Sequence, residues 1–517
     1  MRIVRPSLEY PEVPLYWVLK NTAERWGDKI GVIYKGREIS FDELKERVDR
    51  FAAALADLGI KKDDKVALFL PNSPEFIISF FGTLKAGGVP TPMNPSYKGR
   101  EVAFQYEDSE AVVLITREEL YPIIEEAKER VPIENVILVG KSKIDDTKLF
   151  DELLEEYRAE PPKISFDVEE DLAALPYTSG TTGRPKGVML THYNLVANWK
   201  QFITAGSITE ADTILAFLPF YHIYGAMIMG GAIYAGAAQV IMERFDPVET
   251  LVLIERYKAT ILYVVPPALL ALTNVEGLED YDLSSLRYVN SGAAPLVKEV
   301  AQTFRRKTGV LVLQGYGLTE TSPVTHLNPP EEGKVKLESI GPPLSDTEQM
   351  IVDLKTRQEL AIGEVGELAI KGPQVMKGYW KRPEETQAVF HEGWLLTGDV
   401  ARIDEDNYVY IVDRAKDIIK YKGFSIGPAE LEDVLFEHPA VKDCAVIGKP
   451  DPEAGEIPKA FVVVEGEVTA EELMEFVEER VASYKKIREI EFMEKIPRSP
   501  SGKILKTELR KAGDDRS

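Results

Sequence analysis

The chain runs to 517 residues with 44% hydrophobic and 28% charged residues, enough apolar material for several domains of an ordinary globular protein. Its formal net charge of −23 argues against a general binder of nucleic acid or of an anionic membrane surface, because polyanions are repelled. A lone cysteine, Cys444, excludes an intramolecular disulfide and a cysteine-cluster metal site, and the histidines show no helical pair for zinc, so the cytoplasm is the default compartment.

The N-terminus, Met1-Arg2-Ile3-Val4-Arg5-Pro6, lacks the apolar stretch of a signal peptide. Ser40 followed by Glu43 predicts a capping box, with apolar positions at helical spacing through Leu44, Val48, Phe51 and Leu55. Apolar runs at 66–70, 112–115 and 136–139 predict buried strands. Helices are predicted around 76–84 and over 117–130. Strands alternating with helices predict a mainly parallel α/β sheet.

The next stretch is Pro176-Tyr177-Thr178-Ser179-Gly180-Thr181-Thr182-Gly183-Arg184-Pro185-Lys186-Gly187. Glycine N–H groups and hydroxyls can bond phosphate oxygens while Arg184 and Lys186 offset their charge, although a polar surface turn has the same composition. It is not a Walker A loop, which needs Gly-Lys-Ser/Thr at a fixed distance. Residues 213–242 carry no Asp, Glu, Lys or Arg, which by length could span a membrane. Pro219, several glycines and His222 interrupt the run, so a strand, loop and buried helix are expected instead, with no integral membrane segment.

Further strands at 261–265, 286–290 and 310–313 are expected. The second runs into Ser291-Gly292-Ala293-Ala294-Pro295 and the third into Gln314-Gly315-Tyr316-Gly317-Leu318-Thr319-Glu320, both read as small-residue loops. In open α/β sheets ligands bind beyond the carboxyl ends of strands, so both loops are expected beside the phosphate loop. A carboxylate at Glu320 would suit Mg2+, the alternative being a first-turn residue favoured by a helix dipole. Trp394-Leu395-Leu396-Thr397-Gly398-Asp399 offers Asp399 to a diol, or is plain turn chemistry.

The fold class expected is α/β. A large N-terminal domain over 1–412, with a β-rich part about 340–412, precedes a smaller mobile α+β domain over 413–517. In that domain a helix begins at Pro428, strands cover 441–447 and 459–464, and a capped helix covers 469–481. Residues 481–511 hold nine Lys/Arg against four Glu, and Pro497-Arg498-Ser499-Pro500-Ser501-Gly502-Lys503 puts a lysine at a loop tip. Such a lysine can be delivered to a site, or can belong to a solvated basic face.

Taken in order, these motifs resemble the adenylate-forming superfamily of AMP-forming acyl-CoA ligases over nearly the whole chain. The relevant branches are the fatty acyl-CoA synthetases, the 4-coumarate-type ligases and the firefly-type luciferases. The resemblance implies ATP, Mg2+ and CoA as cofactors and co-substrates and a small-molecule carboxylic acid as substrate. It implies no nucleic acid partner and admits a homodimer. It implies that Thr178, Ser179, Gly180, Thr181, Thr182, Gly183 and Lys186 wrap the β- and γ-phosphates. Gly292, Ala293 and Ala294 would line one face of adenine and Tyr316, between Gly315 and Gly317, the other. Thr319 would touch the α-phosphate and Glu320 the metal. Asp399 and Arg414 would hold the ribose, with Ile411 near the base. Lys416 matches the hinge, and Lys503 would bridge the carboxylate and the α-phosphate. Lys422, Gly423 and Phe424 would line the pantetheine tunnel, and His222 would lie near the acyl carboxylate, a core histidine being the alternative.

Candidate acyl-pocket residues are Tyr221, Ala226, Met227, Tyr263, Val289, Ser291, Leu318 and Val324; none is charged. A medium- or long-chain fatty acid is expected, with a 4-coumarate-like aryl acid second. The rival of another class, a non-catalytic nucleotide or acyl-adenylate binding protein, would be expected to lose Glu320, Lys503 or the loop threonines, and all are present.

Overall fold

The computed structural model describes residues 2–517 except 143, 179–184, 415–416, 418, 422–423, 452–453, 482–483, 499–503, 507 and 511–517; for 414, 420, 424 and 425 it describes the backbone alone. Among the described residues the largest sheet has eight strands. Their order is Val324–Leu327, Leu311–Gly317, Tyr288–Ser291, Ile261–Val264, Thr213–Ala216, Ala238–Ile241, Ile30–Tyr34 and Arg37–Ser40. The six inner strands run parallel and the two edge strands antiparallel. A second sheet is parallel throughout: Val89–Pro92, Lys65–Phe69, Ala111–Arg117, Val136–Val139 and Thr147–Leu149. The near-continuous apolar runs of the sequence are these strands, buried apart from Val112 because helices cover both faces of a parallel sheet.

The helix Phe41–Asp57 starts where Ser40 accepts a hydrogen bond from the Glu43 N–H at 3.1 Å. The reciprocal half of the expected box is absent, because the Glu43 carboxylate pairs instead with Arg37 at 3.2 Å and Arg47 at 2.7 Å. The helix predicted over 117–130 is shorter. Arg117 closes a strand, Glu118–Leu120 is a 3-10 turn, and the α-helix is Tyr121–Lys128. Pro122 lacks an N–H and its ring crowds the preceding turn, so it belongs at a helix start.

The uncharged run resolves into the strand Thr213–Ala216, the buried helix Ile223–Ala235 and the strand Ala238–Ile241. No described helix is long and apolar enough to cross a membrane.

Two antiparallel sheets follow. One comprises Glu348–Val352, Gly366–Lys371, Trp394–Ile403, Phe390–His391 and Val409–Arg414. The other comprises Phe424–Ile426, Ile419–Tyr421, Gly455–Val464, Val441–Asp451 and Glu489–Phe492, the last parallel to its neighbour. The latter carries its own apolar core, built on Ile419, Leu431, Val446, Val462 and Leu473. Its helix Ala470–Glu478 has the predicted capping box, Thr469 with Glu472.

Candidate active site

The strand Tyr177–Thr178 folds back on Lys186–Thr191, with Thr178 opposite Lys186 and Tyr177 opposite Gly187. This hairpin is the root of the loop expected to hold phosphate; Ser179, Gly180, Thr181, Thr182 and Gly183 lie outside the described residues. On its other edge the strand pairs with Gly378–Tyr379, almost two hundred residues later. Bonds from Trp380 N–H to Gly187 O at 2.8 Å and from Lys377 N–H to Met189 O at 3.0 Å extend the ladder. A Cβ at position 187 would meet Leu175, Tyr177 and Trp380 at 3.1–3.2 Å, so glycine lets the strands close.

The same segment reaches Glu320. Met376 N–H donates to Glu320 O at 2.8 Å, and the Tyr379 hydroxyl donates to Glu320 Oε1 at 2.7 Å. Lys186 lies over the Tyr379 ring, 5.0 Å from its centroid, and pairs with Glu385. Burial, and then the neighbouring Glu320 carboxylate, push the Tyr379 hydroxyl well above its ordinary range, so it stays protonated and donates. Lys186, Tyr379, Glu320 and Glu385 thus form one cluster at the loop root. Neither Tyr379 nor Glu385 stands out in the sequence, since only strand pairing at long range reveals them.

Glu320 sits in the 3-10 turn Thr319–Thr321, fixed by Leu318 N–H donating to Thr321 Oγ1 at 3.0 Å. The residues before it are not the loop expected. The strand Leu311–Gly317 continues through Gln314, Gly315 and Tyr316 because Val324–Leu327 pairs with that end. At Gly317 a Cβ would lie 2.0 Å from Pro323 O, so no side chain fits this reversal. Ser291 is likewise the last residue of its strand, and Gly292 begins the loop.

Tyr316 donates its hydroxyl to the buried Asp399 carboxylate. Asp399 lies in the strand Trp394–Ile403, opposite Arg414 in the ladder, which places these two predicted ribose residues in register. Ile411 and Tyr316 pack on the same apolar cluster around Ile370 and Ala401. Ala293 adopts a φ of 70° directly after Gly292, whose Cα lies close to the Tyr224 ring.

His222 caps the helix Ile223–Ala235, its Nδ1 accepting from Tyr224 N–H at 3.2 Å. Tyr221 and Ala226 line a small apolar slot with Phe80, Pro92, Ala174 and Pro176. Met227, Val289 and Ser291 are fully buried, Val324 nearly so and Leu318 partly. The Tyr263 ring packs edge-on to Tyr224 and Tyr288, and its hydroxyl is 3.2 Å from that of Tyr288. Lys416, Lys422, Gly423 and Lys503 lie outside the described residues, as do the side chains of Arg414 and Phe424.

For a divalent cation the described residues offer no cluster of three or more His, Cys, Asp or Glu. Glu320 spends one oxygen on Tyr379. That donor set fits Mg2+, which binds through one or two carboxylates and completes its shell with substrate phosphates and water.

A family profile described as AMP-binding enzyme matches residues 19–380, and one described as AMP-binding enzyme C-terminal domain matches residues 430–503. The chain is 38% identical to a long-chain-fatty-acid–CoA ligase of Bacillus subtilis, over 97% of this chain and 95% of that protein. It is 40% identical to a 4-coumarate–CoA ligase of Pinus taeda, over 92% of this chain and 90% of that protein. Among solved structures it aligns at a TM-score of 0.91 and 28% identity with the anthranilate CoA ligase AuaEII in complex with anthranoyl-AMP, covering 98% of both chains. It aligns at 0.90 and 30% with ATP-bound MatB from Rhodopseudomonas palustris, covering 97% of this chain and 99% of that one.

Proposed function

Because the chain belongs to the AMP-binding enzyme family, among its acyl- and aryl-CoA ligases, we propose that it activates a medium- or long-chain fatty acid with ATP and passes the acyl group to CoA. One carboxylate oxygen of the acid attacks the α-phosphorus of ATP, the bond to the bridging oxygen breaks, and pyrophosphate leaves with the electron pair. The CoA thiol, losing its proton, then attacks the acyl carbonyl, and AMP departs with the oxygen it gained. The observation that carries this reading is the pairing of 186–191 with 378–379, which draws Lys186, Tyr379 and Glu320 together at the root of the loop.

In this reading Lys186 and the hydroxyls of 178–182 receive the β- and γ-phosphates, and Tyr316 stacks on the base. Asp399 and Arg414 take the ribose hydroxyls. His222 and Thr319 stand near the reacting carboxylate and α-phosphate. Glu320 would hold Mg2+, which when bound would offset the charge of the phosphates. The Tyr379 hydroxyl orients the Glu320 carboxylate. Lys503, on a C-terminal lid of residues 413–517 that turns at Lys416, completes the site for adenylation. Lys422, Gly423 and Phe424 follow in the second step.

The candidate pocket residues Tyr221, Ala226, Met227, Val289, Leu318 and Val324 carry no charge, which supports a neutral acyl chain over an acid with an amine or a second carboxylate. An aryl acid of the 4-coumarate kind is the second reading, on the strength of the 40% identity to a ligase of that name. The test is a panel of acids, from short to long alkyl chains plus hydroxycinnamates, assayed with Mg-ATP and CoA for AMP and thioester formation. The expected result is highest kcat/KM on medium or long alkyl acids. Hydroxycinnamates ranking first would select the second reading, and absence of AMP with every acid would reject both.

A further inference from the structure

Lys186, assigned above to the nucleotide's outer phosphates, already has an anion: the Glu385 carboxylate. No part of the reaction described above uses Glu385. It lies in the first turn of the short helix Pro383–Val389, and contacts other than this ion pair hold that turn. Tyr379 N–H donates to Thr386 Oγ1 at 2.9 Å, the Thr386 hydroxyl donates to Arg382 O at 2.8 Å, and Arg382 is anchored to Asp108 at 3.1 Å. Asp108 in turn accepts from the Tyr177 hydroxyl at 2.7 Å, at the foot of the loop. The carboxylate is therefore presented to Lys186 by a braced turn. The pair is at the water boundary, with the lysine side chain 16% exposed and the glutamate 39%. A pair so placed is weak enough for a polyanion to displace.

Resting on the reading that Lys186 meets the polyphosphate, we propose that Glu385 is a resident counter-anion that competes with ATP and pyrophosphate for Lys186. Binding either ligand breaks the pair and leaves the carboxylate, whose remaining cation is Arg382 at 3.7 Å, beside added negative charge, so both bind more weakly than the loop alone would hold them. Because substrate and product are weakened alike, the effect falls on KM and on pyrophosphate inhibition rather than on kcat.

The experiment compares Glu385→Gln with Glu384→Gln, an exposed neighbour in the same turn that carries the same charge change. Glu385→Gln is expected to lower KM for ATP and the inhibition constant of pyrophosphate together by about three- to fivefold, the scale of an exposed ion pair. Its kcat should stay within twofold, and the difference from wild type should shrink as salt is raised. Glu384→Gln is expected to match wild type. Calorimetric titration with Mg-ATP reads the same ratio without turnover. Unchanged or weaker ATP binding in Glu385→Gln, or an equal gain in Glu384→Gln, overturns the inference while leaving an active wild type to support the ligase reading. A wild type that neither binds Mg-ATP nor makes AMP overturns both.

Discussion

The two halves of the eight-stranded sheet end differently at their carboxyl edges. At or just beyond strands 30–34, 213–216 and 238–241 the chain is bonded to its neighbours, in part to residues of the other parallel sheet. Asn72, just beyond the strand Lys65–Phe69 of that neighbour, donates to Leu218 O at 3.0 Å and Met242 O at 3.2 Å, and accepts from Phe220 N–H at 2.7 Å. Nearby, Arg117 at the end of another neighbouring strand bonds Glu243 at 2.8 Å, and Tyr34 donates to the same carboxylate. Strands 288–291 and 311–317 instead run into Gly292-Ala293-Ala294 and the turn bearing Glu320. One architecture therefore offers a long edge: polar staples pin the chain at Leu218, Phe220 and Met242, ahead of Tyr221 and His222, while small residues line the half proposed to take the nucleotide.

The largest expected effect lies on the open half. Glu320→Gln keeps the shape and removes the charge, and should cut kcat for acid-dependent pyrophosphate release by about 10²-fold or more with the melting temperature unchanged. On the stapled half Asn72→Ala should do the reverse. It leaves two buried carbonyls and an N–H unpaired and should cost about 3 kcal/mol in denaturant unfolding, with near-normal turnover from the folded fraction. If Asn72→Ala mainly damages turnover, the division between the halves fails.

Tyr379→Phe sharpens the contrast. Losing one hydrogen bond to Glu320 should lower kcat/KM for ATP by about tenfold and raise the Mg2+ concentration needed for half-maximal rate, with little change in stability. The smallest effect is a pH dependence on the stapled half. Burial raises the Glu243 pKa, but bonds from Tyr34, Lys35 and Arg117 outweigh it and hold the group at about 2, below an ordinary 4.5. A depressed folded-state pKa gives stability that is complete above about 4.5 and lost as pH falls toward 2. Glu243→Gln should accordingly be less stable than wild type near neutrality, and the gap should narrow between those two pH values in urea unfolding.

Much of this edge was legible in the sequence because its signals are local. The apolar runs at 66–70, 136–139 and 261–265 need no partner to be read as strands, and Ser40 and Thr469 announce their helices. The hydroxyl-glycine loop and the Gly-Leu-Thr-Glu turn carry their chemistry within a few residues. What escaped depends on distant pairing. Gly315 and Tyr316 are strand because Leu327 and His326 lie opposite them. Tyr379 meets Glu320 because residue 188 pairs with residue 379.

That a late strand completes the root of the loop has a practical consequence. The segment 176–191 is not a portable cassette: cut from this chain and grafted elsewhere, it would lose the 378–380 segment, and with it one wall of Gly187, the ring under Lys186 and the tether on Glu320. Anyone transplanting the binding loop into another scaffold would have to carry two separate pieces of polypeptide and reproduce their register.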